Sequence, residues 1–475
     1  MNGRFRKRSF STLRGTAVAW LALVAFPTAC KRGPDFEPPT TPSPAAYRGG
    51  VPGGESVANV PWWELYQDPA LQSLIETGLE NNRSLREAAA RIAESRASLG
   101  MVRADLYPNV NAIGVGFYQR TGQADSVSSF DNFKLAASAG YEIDLWGKIA
   151  RSNEAAIQGL LATEEAYRTV TISLVADIAG AYLVLRDFDA RLELAEANVA
   201  ALSESLELLE AKAEGGLVPA VTVNQARVEL ADGEAVIQKL VRARAQTENI
   251  LNLLVGRLPS EVARGLPLTE QTFPPEVPAG LPSELLLRRP DVLSVERALH
   301  AQTALIGVAD AARFPSISLT AALGVKTTSL GDVVASNSFL NLGANLLGPI
   351  YNAGRSKSRV EVERAKAEQL LNQYEQVVLN AFREVEDALV AVETYRLEHE
   401  ARLRQLQAAR EGLDAAEALF EGGLISYSEV LGLQRAQFGS RLIVSEALQL
   451  HHSAIVQLYR ALGGGWTVEE MGSLD

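Results

Sequence analysis

The sequence is poor in cysteine, aromatic residues and histidine, which cross-link compact enzymes, fill their cores or carry their chemistry. Only one of its 475 residues is a cysteine, so no disulfide within the chain is possible. Aromatic residues make up 7%, which fits long packed helices better than one thick core. The four histidines lack metal-ligand spacing, and no Ser/His/Asp motif or phosphate loop is present. We therefore expect no enzyme activity, no cofactor and no bound metal.

Acidic side chains outnumber basic ones outside the N-terminus. The formal net charge is −12. The segment 1–29 nevertheless contains five basic side chains and no acidic one. A surface as acidic as the remainder repels nucleic acid, which we exclude as a partner. The basic head is followed by an apolar run over 17–26, shorter than the about 20 residues of a membrane-spanning helix. This pattern predicts an export signal over residues 1–29.

Proline is absent from two long stretches, 148–213 and 355–420, which lie 207 residues apart. We call this spacing the repeat offset. It also relates several motifs of the two halves, such as Tyr107-Pro108 with Phe314-Pro315 and Gly215-Gly216-Leu217 with Gly422-Gly423-Leu424. One structural unit is thus present twice. A helix of this length is roughly 100 Å long and must bury its apolar stripe against other long helices.

Each long helix follows a segment in which apolar residues alternate with small or polar ones. The odd positions of 133–143 are apolar, and Ile113, Val115 and Phe117 alternate in the preceding stretch. Two hairpins are predicted, over 107–146 and 314–351. Strands of about ten residues with one apolar face suit a transmembrane barrel, although a soluble sandwich gives the same alternation. Four strands cannot close a barrel, so a membrane location requires several chains to pool their strands.

These signals predict the following organisation along the chain. Residues 1–29 form the export signal, 30–60 an extended tether with little to bury, and 257–290 a Pro-rich connection. The first repeat (61–256) contains a helix that Ser84 can cap, then helices 148–213 and 220–255. The second repeat (291–464) contains helices 355–420 and 428–462. A tail, 465–475, ends the chain.

Several motifs, in order, resemble those of the TolC-like outer-membrane factors of tripartite efflux pumps. The resemblance covers about 61–464 and is closest to the lipoprotein branch that serves resistance-nodulation-division (RND) pumps, of the NodT/OprM type. Its motifs are Trp62-Trp63, Asp68-Pro69-Ala70-Leu71, Tyr141-Glu142-Ile143-Asp144-Leu145-Trp146-Gly147-Lys148, Arg288-Arg289-Pro290-Asp291-Val292, Phe314-Pro315-Ser316-Ile317 and Gly348-Pro349-Ile350-Tyr351-Asn352-Ala353-Gly354-Arg355.

The resemblance implies a mostly α fold with a membrane β-barrel. Internally duplicated long-helix hairpins would form a trimeric periplasmic tunnel, continuous with a 12-stranded barrel to which each chain gives four strands. The homotrimer would be a passive duct in the cell outer membrane, carrying drugs or other small molecules to the exterior. Its partners would be outer-membrane lipid, a periplasmic adaptor and an inner-membrane RND transporter.

Cys30, directly after the apolar run, resembles the cysteine of a bacterial lipobox, which becomes the acylated first residue. Pro27 departs from the usual Leu or Val of that motif, and Lys31 is compatible with sorting to the outer membrane. The alternative is cleavage after Ala29, which would leave a free cysteine.

Two further sites follow from the resemblance. The two Gly-Gly turns end helices, since glycine supplies the left-handed conformation needed there, and the family's corresponding tips contact the adaptor. A periplasmic gate would follow the second turn. There Gly432 stands where some pump lipoproteins have a gate aspartate, Arg435 matches a gate arginine, and Glu429 is the nearest acidic substitute. The predicted tip residues are Gly216, Leu217, Val218, Pro219, Gly423, Leu424, Ile425 and Ser426.

Two other functions share some of these features. The outer-membrane duct of a type I protein secretion system would have the same fold and trimer, and neighbouring genes would distinguish it. A structural trimeric coiled-coil stalk would share the long helices but would not need two alternating hairpins related by the repeat offset.

Overall fold

The structure is a computed structural model that describes residues 31–40, 44, 46–47, 67–123, 126–272, 282–328 and 337–464. Only the backbone is described at 119–123, 126–131 and 282–284. The predicted export signal, Cys30, Trp62-Trp63, most of the predicted tether and the tail 465–475 lie outside these residues.

The duplication extends to the lengths of the helices. The described residues form eight α-helices and four strands, and the three longest helices of the two repeats begin at the repeat offset. A 22-residue helix, a 67-residue helix and a 35-residue helix occur in each repeat. In chain order the elements are α1 (Pro69–Asn81), α2 (Arg83–Ala104), β1 (Asn109–Gln123), β2 (Ser126–Ile143), α3 (Lys148–Glu214), α4 (Ala220–Leu254), α5 (Pro282–Arg288), α6 (Pro290–Ala311), β3 (Ser316–Thr327), β4 (Asn337–Leu347), α7 (Arg355–Glu421) and α8 (Tyr427–Ala461).

The strands form one antiparallel sheet in the order β1-β2-β3-β4. Its register aligns the odd, apolar positions of β2 with those of β3, so that Leu135 lies opposite Val325 and Tyr141 opposite Leu319. The even positions of β4 continue this face, because Leu342 lies opposite Ala321. We call this the apolar face of the sheet.

Strand β1 differs from β2 in the face that carries its bulky residues. Ile113, Val115 and Phe117 do not continue the apolar face, because Val115 lies opposite Lys134. The β1 positions opposite Leu135 and Phe133 are instead glycines, Gly114 and Gly116. Successive residues of a strand point to opposite faces, so the bulky β1 residues share the face of Lys134.

The described residues divide into two compact units, one within 31–39, 94–161 and 297–372, the other within 40–93, 162–296 and 373–464. In the second unit, α3 packs Val175, Ile178 and Leu183 into the main core. One stretch of α3 is apolar and long enough to cross a membrane by length and composition, and 56% of it is buried inside the protein. Burial of this kind is typical of a core helix.

The connection after α4 is fastened to this core through a buried acid. Asp68 accepts hydrogen bonds from the Tyr182 hydroxyl at 2.8 Å, from the Leu266 amide at 3.0 Å and from Gln271 Nε2 at 2.7 Å. Its other oxygen caps α1 by accepting the Ala70 amide at 2.9 Å. Satisfying several donors offsets the cost of burying a carboxylate.

Two smaller expectations also need correction. The cap of α2 is not Ser84 but Asn82, whose Oδ1 accepts the Leu85 amide at 2.9 Å. The tether was expected to have little to bury, yet Tyr47 is buried in a core with Val292 and Val378. The bulk of its ring, rather than the Pro/Gly/Ser-rich composition around it, decides its position.

Candidate functional site at the two helix turns

The turns that follow α3 and α7 have the same backbone geometry. Gly216 and Gly423 have φ of +71° and +72°, which L residues with a side chain rarely adopt. The next amide reaches back five positions in both turns, from Leu217 to Lys212 O at 2.8 Å and from Leu424 to Leu419 O at 2.9 Å. This Schellman pattern satisfies carbonyls at the helix end.

The side chains at the turns divide into exposed and packed ones. Leu217 is 77% exposed and Leu424 is 74% exposed. Pro219 and Ser426 are also exposed, whereas Val218 and Ile425 are half-buried. Each turn thus exposes a large apolar side chain, which is suited to contact with a partner.

Beneath the turns, all four long helices of the two repeats share one core. We call it the turn core; Ile425 packs against it. The core also holds the buried ring of Tyr427, whose hydroxyl lies 3.3 Å from Ser205 Oγ of α3. Burial raises the pKa of this phenol. Its other buried residues are Leu209, Val223, Ala226, Leu413, Ala416, Val430 and Leu431.

Glu429 has a local role in this structure. Its carboxylate accepts the Ser426 backbone amide at 2.8 Å and the Ser426 hydroxyl at 3.0 Å. These hydrogen bonds, that from the amide above all, lower the pKa of Glu429. A glutamate at the third helical position that reaches back to the residue before the helix is the acidic half of a capping box.

Arg435 pairs with an acid that the sequence did not single out. Its Nε donates to Glu229 Oε2 at 2.8 Å, and Nη2 donates to the other oxygen. The pair joins α8 to α4, which belong to different repeats. The hydrogen bond and the charge of Glu229 raise the pKa of Arg435. The arginine side chain is 64% exposed and that of Glu229 is 9% exposed, so the pair lies at the mouth of a crevice.

The crevice between α4 and α8 encloses about 340 Å³ and is lined by Gln225, Val228, Glu229, Leu431 and Arg435, among others. Gly432 lies nearby on an open helix surface, where an added Cβ would meet nothing within 4 Å. The structure thus brings Arg435 together with Glu229, while Glu429 accepts its hydrogen bonds from Ser426.

Sequence reasoning missed Glu229 because no local signal marks it. It is one of many acids on exposed helices, and its counterpart in the second repeat is Ala436. Glu229 meets Arg435 only because α4 packs against α8. Among the described residues, no three His, Cys, Asp or Glu side chains are placed to hold a metal ion.

This duplicated architecture matches known proteins over most of the chain. The family described as "Outer membrane efflux protein" matches twice, over residues 74–257 and 281–464. The cation efflux system protein CusC of Escherichia coli O157:H7 is 33% identical over 92% of this chain and 96% of its own. The toluene efflux pump outer membrane protein TtgC of Pseudomonas putida is 36% identical over 94% of this chain and 95% of its own.

A solved structure agrees in fold. The open state of the Neisseria gonorrhoeae MtrE outer membrane channel has a TM-score of 0.84 at 29% identity, over 92% of this chain and 98% of that one. Paired long helices with a four-stranded sheet in each chain define the class of outer-membrane efflux channels. The chain belongs to the outer membrane efflux protein family. The predicted fold class, efflux function and outer-membrane location are therefore confirmed.

Proposed function

We propose that the chain forms a passive homotrimeric duct for small molecules, performing no chemistry of its own. The observation that carries this proposal is the four-stranded sheet, whose outer strands β1 and β4 each have one neighbour within the chain. Hydrocarbon does not tolerate open sheet edges. Three chains that pair β1 of one with β4 of the next would close a barrel of 12 strands.

The partners in this proposal are a periplasmic adaptor and an inner-membrane RND transporter. The relatives are named as parts of a cation efflux system and of a toluene efflux pump, which supports a tripartite pump with small cargo. The adaptor would dock at the turns, where exposed Leu217 and Leu424 present apolar surface. Cargo selection would then lie largely with the transporter.

The experiment for this proposal is complementation of a strain that lacks its outer-membrane channel. The chain, expressed with a matching adaptor and transporter, should restore efflux of a fluorescent dye, and native mass spectrometry should give a trimer. A monomer or dimer in membranes, or normal efflux by a chain lacking residues 109–143, would contradict the duct.

We further propose that the Arg435–Glu229 pair holds the periplasmic end closed. The pair links helices of the two repeats, so any motion that separates α4 from α8 must break it. Because Arg435 is largely exposed, solvent screens the attraction and the pair contributes only modestly. A weak lock suits a gate that adaptor docking must open.

Planar-bilayer conductance tests this gate. Arg435→Ala and Glu229→Gln should each raise the ion conductance of the closed channel, and the double variant should add little to either. Glu429→Gln is the matched control, because its carboxylate serves the capping of α8; it should conduct like the parent. If all three variants conduct alike, the Arg435–Glu229 pair is not the gate.

We also propose that Cys30 is lipidated and anchors the protein in the outer membrane. Each buried CH₂ of an acyl chain contributes about 0.8 kcal/mol, so several chains per trimer make release negligible. The anchor is not required for the fold: Cys30→Ser behind a conventional signal peptide should still form trimers. Mass spectrometry of the mature N-terminus decides the point, and an unmodified Cys30 would refute lipidation.

A further inference from the structure

The residues that directly follow Cys30 in the sequence pack against the rest of the protein. Residues 31–36, which we call the N-terminal clamp, lie against the ends of β2, α3 and α6, all in the unit that contains the sheet. The Arg32 amide donates to Trp146 O at 3.2 Å. The Arg32 guanidinium lies over the Phe314 ring at 4.5 Å, and Phe314 stacks on Trp146 at 4.8 Å.

The backbone of the clamp lies directly against the backbone of α6, at a distance that only glycine allows. Gly33 has φ of +88°, and a Cβ on it would lie 2.4 Å from the Gly307 Cα. A Cβ on Gly307 would in turn lie 2.6 Å from Arg32 O. Both approaches are too short for real carbon contacts, so the segment and α6 touch through two glycines.

A buried arginine fixes the middle of the clamp. The side chain of Arg151 is 3% exposed. Its Nε donates to Arg32 O at 3.2 Å and its Nη2 donates to Asp35 at 2.6 Å. Glu154 completes the set, 3.0 Å from Arg151 and 3.7 Å from the Lys31 ammonium. A buried guanidinium needs such partners, and the clamp supplies two of them.

The end of the clamp is held by ring stacking. Phe36 lies on His300 with ring centroids 4.4 Å apart and an interplanar angle of 9°. His300 Nε2 is 3.2 Å from Glu154 Oε1. The clamp therefore contacts side chains of both repeats, with Arg151 and Trp146 from the first and His300 and Phe314 from the second.

The duplication creates two equivalent junctions between sheet and helices: one where β2 and α3 meet α6, and one at the corresponding elements β4, α7 and α2. Only the first junction is built this way. At the repeat offset, Arg151 corresponds to Ser358, Trp146 to Ala353 and His300 to Ala93. Gly307 corresponds to Gly100, where an added Cβ would meet nothing within 4 Å. Arg151, Trp146 and His300 thus have no equivalent side chain at the other junction, which indicates a dedicated binding site rather than a by-product of duplication.

We propose that this site binds the N-terminal segment as a built-in ligand. The clamp joins the two repeats where sheet meets helix, and it holds Lys31, the residue that follows Cys30 in the sequence, close to Glu154. The staple itself does not depend on lipidation; only its use in placing an anchor rests on the proposed acylation of Cys30.

Trypsin cleavage after Lys31 and Arg32 in detergent tests the docking, with mass spectrometry of the released peptide as the readout. Gly307→Ala should be cleaved at least tenfold faster than the parent, because its methyl group displaces Arg32 O. Gly100→Ala places the same change at the unoccupied junction and should match the parent. Arg151→Ser should speed cleavage as well, whereas its counterpart Ser358→Ala should not.

Two further measurements separate the clamp from other causes. Cys30→Ser, which has no lipid to shield the site, should remain as slow as the parent. Hydrogen exchange of amides 146–151 should accelerate in Gly307→Ala and not in Gly100→Ala, with both variants still trimeric. Rapid cleavage of the parent or of Cys30→Ser would overturn the docking. Unchanged exchange in a rapidly cleaved Gly307→Ala would overturn the stapling.

Discussion

The two repeats solve one structural problem with different side chains. In the first repeat, Asn82 Nδ2 donates at 2.7 Å to Leu254 O, the last carbonyl of α4. In the second, Arg289 Nη1 donates at 2.9 Å to Ala461 O, the last carbonyl of α8. Donor and acceptor are each displaced by the repeat offset, so the contact is the same one, made by an amide in one copy and by a guanidinium in the other.

Asn82 has two roles in the first repeat, and in the second repeat these roles fall to two separate residues. Asn82 Oδ1 caps the Leu85 amide. At the corresponding Val292 amide the acceptor is Asp291 Oδ1, at 2.9 Å. Asp291 also pairs with Arg289, which reaches Glu384 of α7 at 2.7 Å. Duplication has preserved the backbone groups that need partners, while the partners themselves have diverged from a neutral amide to an ion network around the buried Arg289.

The largest expected effect comes from removing each of these two donors in turn. Arg289→Ala should lower the free energy of unfolding by about 3 kcal/mol, because it leaves a helix-end carbonyl without its donor and the half-buried carboxylates of Asp291 and Glu384 without their shared cation. Asn82→Ala removes the corresponding neutral donor and should cost only about 1 to 3 kcal/mol. Thermal unfolding of the detergent-extracted protein, followed by circular dichroism, measures both. Equal losses would mean that the ion network adds nothing.

A second test asks whether the copies are equivalent on the sheet. Leu135 and Leu342 occupy corresponding positions on the apolar face and are 55% and 75% exposed in the single chain. Arginine at either position should cost about 2 to 4 kcal/mol if it lies near the bilayer midplane. Alanine at Lys134 or at its counterpart Asn341, on the other face, should be tolerated. Yields of heat-resistant trimer in outer membranes report the outcome, and equal tolerance of all four changes would refute the membrane face.

The third test uses a residue that only one copy has. His452 of α8 corresponds to Ala245 of α4 and is fully buried. Burial, followed by the charges of His451 and His399, lowers the pKa of His452 to about 3. The pKa of a histidine in the unfolded chain is near 6.5. Between about pH 6.5 and 3, His452 is therefore protonated in the unfolded chain and neutral in the folded chain. Stability is therefore greatest above pH 6.5 and falls as the pH is lowered.

At pH 5 the loss from His452 should be roughly 2 kcal/mol relative to pH 7. Unfolding midpoints at the two pH values measure it. His452→Ala, which copies the first repeat, should unfold more easily at pH 7 through lost packing and yet show a smaller difference between pH 7 and pH 5. An unchanged difference would assign the pH dependence to other groups.

The smallest effect concerns the turns. The helix after the second turn has Glu429 on the Ser426 amide, whereas α4 starts after Pro219 without a side-chain cap. Glu429→Ala should therefore weaken the start of α8 slightly, and by less than any change above. Hydrogen exchange should quicken at the first turn of α8 and stay unchanged at α4. A uniform change along α8 would point to a loss of packing instead of a lost cap.

Features that depend on periodicity could be predicted from the sequence, and features that depend on register or on packing between helices could not. The long helices and the alternation in β2 follow from patterns within one segment, and the repeat offset follows from motifs that recur along the chain. The orientation of Ile113 depends on which β2 residue lies opposite it. Glu229 and Asn82 bond to partners 206 and 172 residues away, and no local sequence pattern predicts those contacts.

The equal lengths of α3 and α7 limit how a chain of this kind can evolve. One inserted residue turns the remainder of a helix by about 100° and advances it by about 1.5 Å. An insertion in α3 alone would rotate Leu209 out of the turn core that it shares with Leu413. Lengthening must then occur in both copies together, or in steps near seven residues, after which an α-helix has turned nearly twice. Insertions and deletions in natural relatives should accordingly be found in matched pairs, one at the equivalent position of each repeat, or outside the helices.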